Sequence, residues 1–530
     1  MQREQRGTPS KTPGASPHAS TENRQAASAG RGVLLLTGSK IYFIGAGYAV
    51  QLLLPRLLGS PQAFGMYSAA MSLVSILNNV LIVATLQTVS RRVSEDPVLG
   101  DRRLREGLWM QLAVGTFFGA NLLLWADRLA SRVLLDPLLA PLFRMATVVV
   151  FSYALYAAFI GFLNGRQMFQ RQALFDLTYV TLRTGGILGA AALGFGALGA
   201  IAGFASAAAA VLGLALLSVG LGRGGGAANC ERAPNGWLRP WASLMAPLWV
   251  YHLCLNLTLQ VDLTVLKRNA AALGLAAGQA PSAAAATASE YAGYYRAAQT
   301  FSFVPYQLVM SVALVVFPMV AQATALGDRA ATRQYIRGAL RFTMIVLFAV
   351  AAPVSGAAEG VMLIAYPEAY LAGSDALSVL SLGMAAFSLF VVAATTVSGA
   401  GQPGLSAMVA MLAVLCVIAC NTAFVHHVGL GDRTLLAAAC GTSVGTVLAL
   451  CAMGTIVYLR FGTFVPLACA LRVGVAAIVA FTVAHHLPHG ERLSALVALV
   501  AGGVAYLASL GMLGEIGRPE LAQLRRVLGK

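Results

Sequence analysis

Three ionised side chains stand inside long apolar stretches of this chain: Arg183, the most central, and Asp262 and Arg296 near the outer ends of theirs. A charge near the centre of a bilayer costs at least ~2.5 kcal/mol unless it faces protein or water, so each needs a partner or a purpose. A guanidinium in a protected cavity is a flat fork of donors that matches a pair of phosphate oxygens, and it serves equally to hold carbonyls of a neighbouring helix. Asp262 could pair with Arg296, carry a coupling ion, or sit as a plain carboxylate near a helix end. Asn78 and Asn79, with Asn256 and Gln260, offer hydrogen bonds to a hydroxyl-rich ligand, or glue between helices worth about 0.6 kcal/mol each. No Gly-rich phosphate loop, nucleophile–base pair or paired-carboxylate motif is legible. His426-His427 and His485-His486 with His489 read as two loop clusters without an acidic partner at ligand spacing, so no metal site and no cofactor is assigned.

The elements that must position these groups are membrane spans. The chain is 58% hydrophobic and only 11% charged, with a mean hydropathy of +0.74. Soluble domains carry roughly 25% charged residues. Uncharged runs of about 20 residues recur along it, each long enough to cross a ~30 Å hydrocarbon layer as a helix. The pattern predicts an all-α polytopic membrane protein with fourteen spans. Residues 1–32 read as a disordered tail and 33–222 as a first lobe of six helices. A connector, 223–240, leads to a second six-helix lobe, 241–460, which carries a loop-like Ala/Gly/Ser insertion at 269–289. Two further helices over 461–516 and a short tail, 517–530, complete the chain. Within the second lobe one helix is expected over 293–322, and the arginines at 329, 333, 337 and 341 are expected in a loop. Gly399 to Gly404 breaks another long uncharged run.

The two lobes share a phrase. Gly65-Met66-Tyr67-Ser68-Ala69-Ala70 returns as Gly293-Tyr294-Tyr295-Arg296-Ala297-Ala298, each copy near the start of its half. Two copies of one six-helix unit share an orientation, because six is even, and their pseudo-twofold axis then lies along the membrane normal. Arg296 replaces Ser68 at otherwise matching positions, which hints at a role for the added charge.

The net charge of +16 does not point to nucleic acid. The basic residues sit in short loops beside spans, Arg91, Arg92, Arg102, Arg103 and Arg105 among them. There they mark a cytoplasmic face and meet anionic membrane lipid, which places both termini in the cytoplasm. Trp237, Trp241 and Trp249 suggest an interfacial start to the seventh helix.

Several stretches resemble the polysaccharide-flippase branch of the multidrug/oligosaccharidyl-lipid/polysaccharide exporter superfamily. They are Leu54 to Gly59, Phe64 to Ala70, Val261-Asp262 ahead of Gly293 to Ala298, Phe317-Pro318, and Ser398 to Gln402. The resemblance covers the chain from about Val33 onward; the insertion and the long tail depart from it. It implies a fourteen-helix, two-lobed flippase of the inner membrane that moves a polyprenyl-pyrophosphate-linked oligosaccharide outward by alternating access. A polysaccharide polymerase or glycosyltransferases are the candidate protein partners. A peptidoglycan-precursor flippase should concentrate arginines in the first two helices, yet Ile41 to Pro55 and Leu57 to Ser90 hold none. A drug/cation antiporter should bury carboxylates rather than arginines. A membrane-bound polymerase or ligase would need a sizeable polar outer loop, and the longest candidate here is nearly all Ala, Gly and Ser.

Overall fold

The computed structural model describes residues 17–96, 98–220, 238–488 and 490–515. The first half of the chain forms α1 (Pro17–Leu58), α2 (Pro61–Glu95), α3 (Gly100–Arg128), α4 (Ala140–Gly165), α5 (Phe169–Ala192) and α6 (Gly196–Val219). The second half begins with α7 (Leu238–Ala276), α8 (Pro281–Ser302), α9 (Val304–Ala325), α10 (Arg329–Gly356) and the short α11 (Ala358–Ala365). It continues with α12 (Ser374–Gly399), α13 (Pro403–Val428), α14 (Thr434–Phe461), α15 (Leu467–His486) and α16 (Arg492–Met512). Local chemistry sets the breaks. Gly59 adopts φ +71°, Ser60 accepts from the Ala63 N–H at 3.2 Å, and Pro61 opens α2, so the chain stops one helix and starts the next within two residues. Gly401, also at positive φ, and Pro403 do the same between α12 and α13.

This is a multi-pass membrane protein, all-helical in its described residues. Among the described residues, twelve helical stretches are long and apolar enough to cross a membrane, against the fourteen expected; α5, α8 and α9 are not among the twelve. Each expected span is nevertheless helical. α5 carries Arg171, Asp176 and Arg183, and α8 carries Glu290 and Arg296, which lower their mean hydropathy.

Other expectations need correction. The helix expected over 293–322 is two, α8 and α9, meeting at Phe303. The 269–289 insertion is not a loop: α7 runs on to Ala276 and α8 begins at Pro281, because an alanine-rich segment is the best helix former once a neighbouring span has nucleated it. By the same reasoning α1 starts at Pro17, within the segment read as a disordered tail. Arg329, Arg333, Arg337 and Arg341 lie on the first turns of α10, four residues apart and so on one face, behind the Asp328 cap. His426-His427 and His485-His486 occupy the last turns of α13 and α15 rather than loops, where a cation suits the helix dipole. The ends of both tails, most of the connector and His489 lie outside the described residues.

α1 packs on α5, α2 and α3 on α4, and α5 on α6, while α12, α13 and α14 form the core of the second half. α2 is the seam between halves, lying against both α7 and α8. Gly65 and Gly293, the glycines of the repeated phrase, meet there. A Cβ at Gly65 would overlap the Ser289 carbonyl oxygen, and one at Gly293 the Pro61 carbonyl oxygen, so only glycine lets these backbones touch. α15 and α16 pack against α10 and are pinned by Glu515, which accepts from Arg341 Nε at 2.7 Å and Arg472 Nη1 at 3.0 Å.

Candidate functional site

The candidate residues fall into two groups on either side of α2. The first lines a cavity of about 270 Å³ enclosed by α1, α2, α4, α5 and α6. Arg183 projects into it from α5 with its guanidinium carbon 5.0 Å from the Phe204 ring centre and 6.0 Å from that of Phe43, beside Tyr179. These are cation–π contacts, which hold a cation without neutralising it. The other two charges lining the cavity cancel: Lys40 Nζ lies 2.8 Å from Asp176 Oδ2. Lys40 is therefore one arm of a pair. Asn78 and Asn79 line the same cavity, and Asn78, 6% exposed, has its Oδ1 without a hydrogen-bond partner.

The second group lies between α7, α8 and α14. Asp262 is buried and accepts from Tyr295 Oη at 3.0 Å, from Gln299 Nε2 at 2.9 and 3.0 Å, and from the Leu263 N–H at 2.9 Å. Tyr295 Oη also lies 3.1 Å from Thr442 Oγ1. The expected Asp262–Arg296 ion pair is absent among the described residues. Arg296 Nη1 donates instead to Gln260 Oε1 at 3.3 Å and Gln299 Oε1 at 3.4 Å, so Gln299 stands between the two charges. A carboxylate with this many neutral donors needs no cation beside it. Asn256 accepts from Asn79 Nδ2 at 2.8 Å, and Gln260 accepts twice from Ser72, by its backbone oxygen at 2.8 Å and by Oε1 at 3.4 Å. Three of the predicted polar residues thus tie the halves together. Tyr67, of the first repeated phrase, lies within electrostatic reach of both Arg183 and Arg296.

Sequence reasoning missed the contacts that close the seam. At the end where α2 starts, the far end from the arginine-rich α2–α3 turn, Lys267 Nζ lies 2.7 Å from Asp136 Oδ2 and 2.6 Å from Ser289 Oγ. Lys267 is 0% exposed and Asp136 2%, a fully buried ion pair joining α7 to the α3–α4 junction. At the arginine-rich end, Trp241 Nε1 donates to Glu106 Oε2 at 3.1 Å. Trp241, 1% exposed, is therefore a seam residue and not the interfacial anchor expected. A recess of about 540 Å³ at the far end is lined by Glu290, Glu359, Asp375 and Asp432, opposite in sign to the arginine cavity.

Comparison with known proteins identifies the fold. The chain superposes on a lipid II flippase, MurJ, in an inward closed conformation with a TM-score of 0.70 at 15% identity, over 91% of this chain and 99% of that one. A multidrug resistance MATE family transporter of the MOP superfamily matches in its inward-facing form (TM-score 0.61, 16% identity, 80% of this chain, 94% of that one). A multidrug resistance MATE family transporter of that superfamily in an outward-facing conformation matches with a TM-score of 0.57 at 14% identity, over 81% of this chain and 95% of that one. The chain shares its fold with these transporters. Residues 53–219 match the family model described as polysaccharide biosynthesis protein. No curated protein matches the chain in sequence. The first half of the chain thus resembles a polysaccharide biosynthesis family, and the whole shares its fold with these transporters.

Proposed function

We propose that the chain is a flippase that carries a polyprenyl-pyrophosphate-linked oligosaccharide across the cytoplasmic membrane by alternating access, for a surface polysaccharide. One observation carries the reading. Among the described residues, Arg183 and Arg296 have no carboxylate within ion-pair distance, whereas Lys40 and Lys267 each have one and Asp262 is satisfied by neutral donors. Two guanidiniums left without counter-ions on either side of one tyrosine suit a diphosphate cargo. In this reading Asn78 and Asn79 serve sugar hydroxyls, α1–α6 and α7–α14 move as two lobes about α2, and both termini are cytoplasmic. The match to a lipid II flippase supports a lipid-linked saccharide; the arginine-free lengths of α1 and α2 favour a surface glycan over a wall precursor.

The test is deletion of the gene followed by complementation. We expect loss of surface polysaccharide with accumulation of its lipid-linked unit inside the cell, restored by the intact chain. Arg183→Ala and Arg296→Ala should each fail to restore export, and Lys at either site should restore part of it. Arrested wall growth would point to a wall precursor, and unchanged glycan with raised sensitivity to cationic drugs to an antiporter.

A further inference from the structure

The outer surface of the first half carries a second concavity, of about 300 Å³ and almost wholly apolar. Leu108 and Leu112 of α3 form one wall, Leu212 and Leu216 of α6 the other, and Leu155 and Phe159 of α4 the floor. Each pair is four residues apart, so each helix presents a single face to the groove. At its arginine-rich end the lining includes Arg105, and Trp109, 66% exposed, stands one turn deeper. An indole at that position marks the depth of lipid headgroups. α4 separates the groove from the arginine cavity, to which it turns Tyr156 and Ile160 instead.

We propose that this groove binds an anionic glycerophospholipid, one acyl chain lying between α3 and α6 and its phosphate at Arg105. An apolar groove of this size on a membrane-facing surface takes a lipid tail in place of bulk lipid, and the tail alone gives no headgroup preference. The preference comes from the mouth, where Arg105 lines the groove and the helix ends flanking the α2–α3 turn carry five arginines against four carboxylates over residues 91–106, so a negative phosphate is matched by charge. The position of α4 between this groove and the arginine cavity argues against the tail of a transported cargo. The site stands whether or not the transport reading does.

The test uses the full chain in phosphatidylcholine vesicles doped with phosphatidylglycerol or phosphatidylcholine whose acyl chains are dibrominated, a short-range quencher of indole fluorescence. The quenching that disappears in Trp109→Phe reports the groove. Brominated phosphatidylglycerol should half-saturate that component at about one fifth the mole fraction of brominated phosphatidylcholine, the advantage of one arginine near a membrane surface. Arg105→Gln should abolish the difference while leaving phosphatidylcholine quenching intact, which also shows that the variant is folded. Leu212→Phe, which fills the groove, should weaken quenching by both lipids. Equal quenching by the two lipids, or a preference that survives Arg105→Gln, overturns the proposal. So does displacement of brominated phosphatidylglycerol by a polyprenyl phosphate at lower mole fraction, which would make the groove a cargo-tail site.

Discussion

The two ends of the seam are closed by different chemistry. At the far end the contact is an ion pair whose charges belong to different halves: Lys267 on α7 and Asp136 beyond α3, with the Ser289 hydroxyl donating to Asp136 at 3.1 Å. At the arginine-rich end the charges at the contact belong to one helix. Glu106 is already paired on α3 with Arg102 at 3.2 Å and Arg103 at 2.8 Å, and the groups that reach across are neutral, the Trp241 indole to Glu106 and Gln111 Nε2 to Met245 Sδ at 3.9 Å. Opening the far end separates two dry charges; opening the other breaks one hydrogen bond to a carboxylate that keeps its partners. On the transport reading proposed above, the difference predicts an asymmetric protein that rests with the far end shut and gives way first at the arginine-rich end.

The comparison breaks most completely if the far end cannot close. Gly65→Ala or Gly293→Ala adds helix propensity, yet either methyl group overlaps a carbonyl oxygen of the facing chain. In a cysteine-free background with Ser68→Cys as a reporter just inside this end, we expect near-maximal labelling by a membrane-impermeant maleimide in both variants, and no export. Gly185→Ala, which has open space around it, should behave as the parent. Continued protection of the reporter in Gly65→Ala would show that the backbones do not meet. Lys267→Met comes next, because it leaves Asp136 buried and alone, a cost of roughly 3–5 kcal/mol against the closed form. The same reporter should become accessible, and adding Asp136→Leu should restore most of the protection, since Ser289 keeps the Ala285 carbonyl at 2.9 Å. A double variant as open as the single one would mean that the pair acts through something other than its charge.

Much of this fold was legible because spans announce themselves: a long uncharged run has few alternatives to a membrane helix, and the breaks at Gly59–Pro61 and Gly401–Pro403 follow from residue chemistry. The repeated phrase also marked a true meeting point, since its two glycines touch. What was not legible was pairing across distance. Asp136 and Lys267 are 131 residues apart, and nothing local to either says that the other neutralises it. Proximity in sequence misled in the opposite direction for Asp262 and Arg296, which share adjacent helices but are divided by Gln299. Helix ends were misjudged wherever charge was taken for a loop, as at Arg329 to Arg341, because an amphipathic extension satisfies its arginines in water or lipid headgroups while its backbone stays helical.

The smallest effect is expected at the arginine-rich end, and it sharpens the comparison most. Trp241→Phe removes the indole N–H and little volume, leaving Glu106 with Arg102 and Arg103 on its own helix. The loss is one hydrogen bond to a charged group, about 1.5–3 kcal/mol, with no charge stranded. A reporter at Gln111→Cys, buried beside Met245 of the second half, should label faster than in the parent, while the Ser68→Cys reporter stays protected. Glu106→Gln adds a second reading, because it keeps an acceptor for the indole but removes the carboxylate from two arginines that are themselves partly exposed. Water can solvate those arginines, so its effect on the Gln111→Cys reporter should be no greater than that of Trp241→Phe. If Trp241→Phe instead exposes both reporters, or shifts its own as far as Lys267→Met shifts the far one, the two ends are equivalent and the asymmetry drawn from their charges is wrong.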